Sequence, residues 1–399
     1  MTDSNPATKT AAVREKPPAQ ATPAGVQTIN WTHQDQPVSA IWHSENGWTP
    51  PKRCIVADDT MTADTAYRYA SEGVGLIWTG DFQNARQLLQ ALGRRTAKRR
   101  SKYTDMPYPD RFHQVRLARA QRARTLGMLL MPVEANHVLK QRRAPDVTEA
   151  CLAAYGQDKH GYVVPMSELL GVISAFEWRK KGVHIPALHA SIHAHYGVFA
   201  PVRAEYLDLI MRAKLGHTEL AFDIGTGTGV IAALLAQRGV ERVVATDSSP
   251  KAIECARENI RALKLENQIK LRTVDLFPEG RADLIVCNPP WLPGRPASNL
   301  EHAIYDQDQR MLRGLLNGAR AHLNPQGEVW LILSDLAEHL KLRSRADLLA
   351  LFDDAGLDVI ERLDTRPVHP KSKDEEDPLA DARKLEVTSL WRLQIQEEN

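Results

Sequence analysis

"ELAFDIGTGTGVIAALLAQRG", residues 219 to 239, decides how this chain is read. Leu220 to Ile224 is a short run, apolar except for Asp223, as expected of a strand buried on both faces of a sheet. Three alternating glycines follow, Gly225, Gly227 and Gly229, and Val230 to Gly239 then reads as a helix closed by glycine. Glycines in a strand-to-helix turn let the backbone bend tightly and approach a ligand with no side chain in the way. The spacing is G-x-G-x-G. It matches neither the G-x-G-x-x-G of dinucleotide sites nor the phosphate loop ending in Gly-Lys-Ser/Thr, so the loop need not cradle phosphate.

The alternation extends outward on both sides. "RAEYLDLIMRAKLG" (203–216) reads as a helix ended by Gly216, and "RVVATD" (242–247) as a strand. "SPKAIECARENIRALKL" (249–265) is a helix with Ser248 or Ser249 as N-cap and Pro250 in its first turn. "IKLRTVDL" (269–276), "ADLIVCN" (282–288) and "GEVWLIL" (327–333) are strands, interleaved with helices at 308–323 and 344–356. "LDVIERL" (357–363) and "TSLWRLQ" (388–394) close the chain as strands, with the charged stretch 369–384 between them expected as a solvated loop. Such alternation predicts an α/β fold with a parallel, doubly wound sheet. Ligands of such sheets sit at the carboxyl ends of the strands. Asp247 ends one strand there, where a carboxylate can accept from both hydroxyls of a ribose, and Asp275 ends the next. A lone aspartate could merely cap a helix; two beside the glycine loop point to a ligand.

Together "FDIGTGTG", "VVATDSS", "TVDLF" and "LIVCNPPW" resemble the class I S-adenosylmethionine-dependent methyltransferases. Within them they are similar to the branch marked by Asn/Asp-Pro-Pro-aromatic, the "methyltransferase small domain" type. That branch includes the ribosomal RNA guanine-N2 and the release-factor glutamine methyltransferases. The resemblance implies a seven-stranded Rossmann-like sheet with one antiparallel strand, and S-adenosylmethionine as cofactor. It also implies that Asp223, Gly225, Thr226, Gly227 and Gly229 hold the methionine end, Asp247 and Ser248 the ribose, and Asp275 and Leu276 the adenine, with Asn288 bordering the same site.

Asn288, Pro289, Pro290 and Trp291 are the expected catalytic residues. A residue before proline is pushed into an extended conformation, and the prolines lack N–H groups, so the rigid turn offers mainly acceptors. The Asn288 side-chain oxygen and the Pro289 carbonyl can accept both hydrogens of an –NH2 group, freeing its lone pair for attack on the methyl. Trp291 offers a face for stacking a base or planar amide. In "HYGVFAPVRAEY" (195–206), Phe199 and Arg203 are candidate substrate contacts; a plain core role for Phe199 is the competing reading.

The N-terminal half is less regular. Residues 1–27, rich in Ala, Pro and Thr, read as a disordered tail. Residues 28–154 read as a smaller α/β domain, 155–194 as a linker with a helical bridge, and 195–399 as the catalytic domain. The chain has 399 residues and a net charge of +2. Yet Arg94 to Arg143 holds fourteen basic residues against three acids, which favours a polyanionic partner. Arg94, Arg95, Arg99 and Arg100 are the expected RNA contacts, with a solvated helix face as the bland alternative. RNA or a ribosomal component is thus the expected partner, with a protein substrate as the alternative; oligomeric state is not legible. A second alternative is a protein that keeps this fold but binds RNA or the ribosome without catalysis. "LIWTGDFQNARQLL" in this half faintly echoes "VVATDSSPKAIECA", strand then acid then helix. His189 and His193 stand four apart, but no HExxH glutamate or nearby cysteine accompanies them, so no metal is expected. Four scattered cysteines and no apolar stretch long enough to span a bilayer suggest a reduced, cytoplasmic setting without a membrane partner.

Overall fold

A computed structural model of the chain describes residues 27–97, 105–296, 300–367 and 377–397. The expected tail therefore lies, but for Gln27, outside the described residues.

Two sheets carry the fold. The first contains β1 (Thr28–His33), β2 (Gln36–Trp42), β3 (Arg53–Ala57), β4 (Val74–Trp78), β5 (Leu129–Val133) and β6 (Tyr162–Pro165), in the order β1-β2-β6-β5-β4-β3. β3, β4 and β5 run parallel, and β6 runs antiparallel to β5. Every residue of β4 and β6 is buried because both faces of this sheet are covered. Helices Phe82–Thr96 and Met166–Lys181 pack with Leu76, Trp78 and Met131 on one side. Ile29, Trp42, Ile77, Leu130 and Val163 fill the other.

A short hairpin of β7 (Val183–Ile185) and β8 (Ala190–Ile192) leads into the second sheet. Its strands are β9 (Leu220–Ile224), β10 (Arg242–Asp247), β11 (Ile269–Thr273), β12 (Ala282–Cys287), β15 (Leu323–Ser334), β16 (Leu357–Thr365) and β17 (Thr388–Ile395). Two two-residue strands, β13 (Leu292–Pro293) and β14 (Tyr305–Asp306), pair beside it. The order is β11-β10-β9-β12-β15-β17-β16, with β17 antiparallel to both neighbours. This is the doubly wound, seven-stranded α/β sheet with one reversed strand that the sequence implied. The chain steps from β9 through β10 to β11 and then returns to lay β12 against the other side of β9. That reversal opens a crevice at the carboxyl ends of β9 and β12.

Several sequence expectations need correction. The segment 155–194 is not a separate bridge: β6 lies inside the first sheet, and Met166, Leu169 and Val172 of the following helix belong to that sheet's core. Gly182 (φ +72) ends this helix, and Ile185, Leu188 and Ile192 of the hairpin already pack in the C-terminal core. The helix expected over 203–216 spans only Glu205–Arg212, because Arg203 is held in ion pairs and Ala213 turns extended before Gly216. The strand expected over 269–276 ends at Thr273, and Leu276 adopts φ +63. In the expected loop 369–384, residues 369–376 lie outside the described set. Ala380–Leu385, however, forms a helix whose Ala382 packs, with Leu379, against Leu336, Ala337 and Leu340.

The basic region is likewise more structural than expected. Helix Tyr108–Leu126 lies against the C-terminal half. Arg111 is buried and faces Asp381 at 3.7 Å, and Arg119 faces Asp377 at 3.7 Å. The Arg116 guanidinium sits 3.9 Å from the Tyr305 ring centroid, donates to the Arg295 carbonyl and approaches Glu301 at 3.5 Å.

Candidate active site

Ile224 and Cys287 pair across β9 and β12, so Gly225 and Asn288 leave the sheet as neighbours at its carboxyl edge. Asp223, one residue before the strand end, is fully buried. Thr226 Oγ1 donates to its Oδ2 at 2.6 Å and the Ala232 N–H does so at 3.0 Å, while among the described residues its buried Oδ1 has no partner. Burial pushes the Asp223 carboxyl up to about 7; the two hydrogen bonds oppose the rise and nearby Asp247 adds to it.

The glycine loop is shaped by two requirements. Gly229 has φ +82, and a Cβ there would crowd Ala256 at 3.2 Å, so this glycine permits close packing of the helix starting at Val230 onto Pro250–Ala262. Gly227 has φ +54, and a Cβ there would meet nothing within 4 Å. Its N–H donates to Asp247 Oδ2 at 3.0 Å, while the Ser249 N–H donates to Oδ1 at 2.9 Å. Burial raises the Asp247 carboxyl against these two bonds. Ser249 caps the helix; Ser248 is exposed beside it. Asp275 is exposed and ion-paired to Arg310, whose neighbour Met311 lies against Gly225. Leu276 is anchored by its carbonyl, which accepts from Thr246 Oγ1 at 2.6 Å.

At Asn288 the side-chain oxygen already accepts the Trp291 Nε1–H at 2.8 Å. Trp291 itself is half-buried and packs against the cores on both sides of the sheet, with the Arg203 guanidinium 5.3 Å from its ring centroid. Arg203 is in turn fixed by Glu205 at 3.0 Å and Glu386 at 3.2 Å, and Ser334 Oγ donates to Glu386 at 2.7 Å. Tyr206 is buried next to Asn288, its phenol raised by burial and then by the charges of Asp223 and Glu205. Pro289 is buried and Pro290 half-buried, and among the described residues no donor occupies the Pro289 carbonyl. Phe199 is exposed at the surface of the segment leading to Arg203.

Sequence reasoning named Asn288, Trp291 and Arg203 but missed the groups that hold them. Glu205 and Tyr206 follow Arg203 by two and three residues, yet nothing in the pattern sets them apart from other helix residues. Glu386 lies 183 residues from Arg203 and gave no signal. Of the expected RNA contacts, Arg94 and Arg95 are exposed on the last turn of helix Phe82–Thr96, Arg95 paired with Asp64 at 2.7 Å, and Arg99 and Arg100 lie outside the described residues. His193 Nδ1 bonds the Arg179 carbonyl at 2.6 Å and His195 Nε2 bonds Glu258 at 2.8 Å. Among the described residues no group of His, Cys, Asp or Glu is arranged to hold a metal, and no helix is long and apolar enough to cross a membrane.

The doubly wound sheet, the glycine loop below Asp223 and the Asn288 turn across the crevice form the arrangement that the resemblance to class I S-adenosylmethionine-dependent methyltransferases implied. Residues 189–355 match the family model of the methyltransferase small domain. A release factor glutamine methyltransferase of Cereibacter sphaeroides is 35% identical over 144 residues, 32% of this chain and 51% of the relative. A tRNA1(Val) (adenine(37)-N6)-methyltransferase of Porphyromonas gingivalis is 36% identical over 125 residues, 28% of this chain and 48% of the relative. Ribosomal RNA small subunit methyltransferase C of Salmonella paratyphi B is 29% identical over 136 residues, 34% of this chain and 37% of the relative. The chain thus spans about half the length, or less, of these relatives.

Proposed function

We propose that the protein transfers a methyl group from S-adenosylmethionine to a planar amino nitrogen, and that this nitrogen is an exocyclic amine of an RNA base. The observation that carries the reading is the adjacency of Gly225 and Asn288 at the switch point, which brings a cofactor loop and an amine-accepting turn to one crevice. The chain's own residues fit the cofactor. Asp223 Oδ1 is a buried acceptor lacking a donor, and the space at Gly227 is open. Asp223, Gly225, Thr226, Gly227 and Gly229 would hold its methionine end, Asp247 and Ser248 its ribose, and Asp275 and Leu276 its adenine. When bound, it supplies a methyl group activated by a sulfonium.

Every further part of the chemistry falls to Asn288 and its neighbours. The Asn288 oxygen keeps one acceptor site beyond the bond from Trp291, and the Pro289 carbonyl is free among the described residues. Together they accept the two hydrogens of the incoming –NH2 group, orient its lone pair and stabilise the positive charge that grows on nitrogen. The nitrogen then sheds a proton to solvent, so no strong general base is needed. Trp291, clamped by Arg203 on one side, supplies an aromatic wall for a planar acceptor.

An RNA acceptor is supported by the aromatic wall and by relatives named for tRNA and ribosomal RNA. A protein glutamine is the second reading, favoured by the 35% identity to a release factor glutamine methyltransferase. The deciding experiment offers radiolabelled methyl donor to purified protein with a lysate lacking the endogenous activity. Label destroyed by ribonuclease supports the RNA acceptor; label destroyed by protease moves the acceptor to a side chain.

A further inference from the structure

The first sheet ends in two strands that are not paired to each other, β1 and β3. The sheet curls so far that their backbones approach within 8 Å over part of their length, yet no ladder joins them. A groove of about 500 Å³ lies along this seam. It is lined by Asn30, Trp31 and Thr32 of β1, by Pro37, Val38 and Ser39 of β2 behind it, and by Lys52, Arg53 and Cys54 on the β3 side. No carboxylate lines it. Among the described residues Lys52 and Arg53 are exposed and carry no ion pair, whereas Arg111, Arg116 and Arg119 of the basic helix are engaged with the C-terminal half.

We propose that this seam is a binding groove for a single-stranded segment of RNA, an inference that rests on the RNA reading above. The seam is too narrow for an added β-strand, whose flanking strands would stand about 9.6 Å apart. A base, by contrast, needs only a flat partner. The half-buried Trp31 ring, backed by the cluster around Ile29 and Trp42, is rigidly held to provide one. Lys52 and Arg53 meet phosphates, which carry no sequence information, so the groove has no fixed sequence preference. Lys52 and Arg53 thus remain free, among the described residues, to meet a polyanion, whereas Arg111, Arg116 and Arg119 are engaged with the C-terminal half.

The test uses the full chain and a short, unstructured, fluorescently labelled oligoribonucleotide, with affinity followed against salt. Lys52→Glu with Arg53→Glu, both at exposed positions, is expected to lower the salt slope by about 1.4, the share of two single-strand phosphates. Trp31→Ala is expected to weaken binding by roughly 5- to 150-fold. An unchanged circular dichroism spectrum and thermal melt of each variant certify its fold. Wild-type affinity and salt slope in both variants would overturn the groove. If methyl label is ribonuclease-sensitive while both variants bind normally, the groove alone falls. If the wild-type chain does not bind the RNA and the label is protease-sensitive, the RNA reading falls and takes the groove with it.

Discussion

The two sheets place an aspartate at the end of a parallel strand, beside the start of a helix, and treat it in opposite ways. After β4, Asp81 caps helix Phe82–Thr96 through the Gln83 N–H at 2.8 Å and accepts Arg142 Nε at 3.0 Å and Arg143 Nε at 2.7 Å. Both its oxygens are used, and the Arg143 guanidinium holds its carboxyl well below the usual range. Near the end of β9, Asp223 is buried with one oxygen orphaned, and burial drives its carboxyl up. Topology explains the difference. β3, β4 and β5 advance in one direction, so no crevice opens between them, whereas the chain reverses around β9. The faint sequence echo between "LIWTGDFQNARQLL" and "VVATDSSPKAIECA" is therefore local: both are strand, acid, helix, but only the second belongs to a sheet with a switch point. What sets Asp223 apart from Asp81 is its orphaned buried oxygen, while Asp247, like Asp81, has both oxygens engaged and is set apart by its place at the switch point.

The largest effect that would break this contrast is at Asn288. Asn288→Ala should reduce methyl transfer by about 10²–10³-fold, the usual loss for a transition-state hydrogen-bonding group, with cofactor affinity little changed. Near wild-type turnover would remove the amine-gripping role. Next comes Asp223→Asn, expected to weaken S-adenosylmethionine binding by roughly tenfold or more, as loss of a charge-assisted bond does. The wild-type protein should bind the cofactor more tightly as pH rises through about 7, because the carboxylate form is the better acceptor, and calorimetry in two buffers should detect the released proton. Binding that is flat with pH would mean that Asp223 does not face the ligand.

Trp291→Phe keeps an aromatic face but removes the N–H that fixes the Asn288 oxygen. Turnover should fall by roughly 2- to 10-fold with substrate KM nearly unchanged, a split that single-turnover kinetics resolves. The smallest effect on activity is predicted for Asp81→Asn, which should leave cofactor affinity at the wild-type level while lowering the thermal midpoint. The linkages of the two acids differ in sign. Asp81, depressed in the folded state, stabilises above the ordinary aspartate range near pH 3.9 and loses that contribution as pH falls below it. Asp223, raised in the folded state, favours folding below that range, and this contribution is lost as pH rises toward about 7 in the ligand-free protein. Because Asn mimics the protonated acid, melts of both variants should converge with wild type at low pH and depart from it in opposite directions as pH rises, Asp81→Asn less stable and ligand-free Asp223→Asn more stable; departures of the same sign would show that the two acids are not set apart as the sheets suggest.

The sequence alone determined the doubly wound half. Period and length separate its strands from its helices, the glycines mark the turn after β9, and Asn-Pro-Pro-Trp marks the end of β12; all of this is local chemistry, legible within a few residues. The N-terminal half was legible only as strands and helices, because the residues that complete its sheet, Tyr162–Pro165, are few and apolar and could belong to any core. Only the tertiary structure decided which charges are engaged. Arg111, Arg116 and Arg119 read in sequence as free cations for a polyanion, but their partners Asp381, Glu301 and Asp377 lie more than 150 residues away. The same holds at the candidate site, where Glu386 fixes Arg203 from a distant turn and Trp291 takes one lone pair of Asn288. Composition and spacing tell which groups a chain possesses. Whether each is engaged or left waiting for a ligand depends on what folding brings within hydrogen-bonding reach.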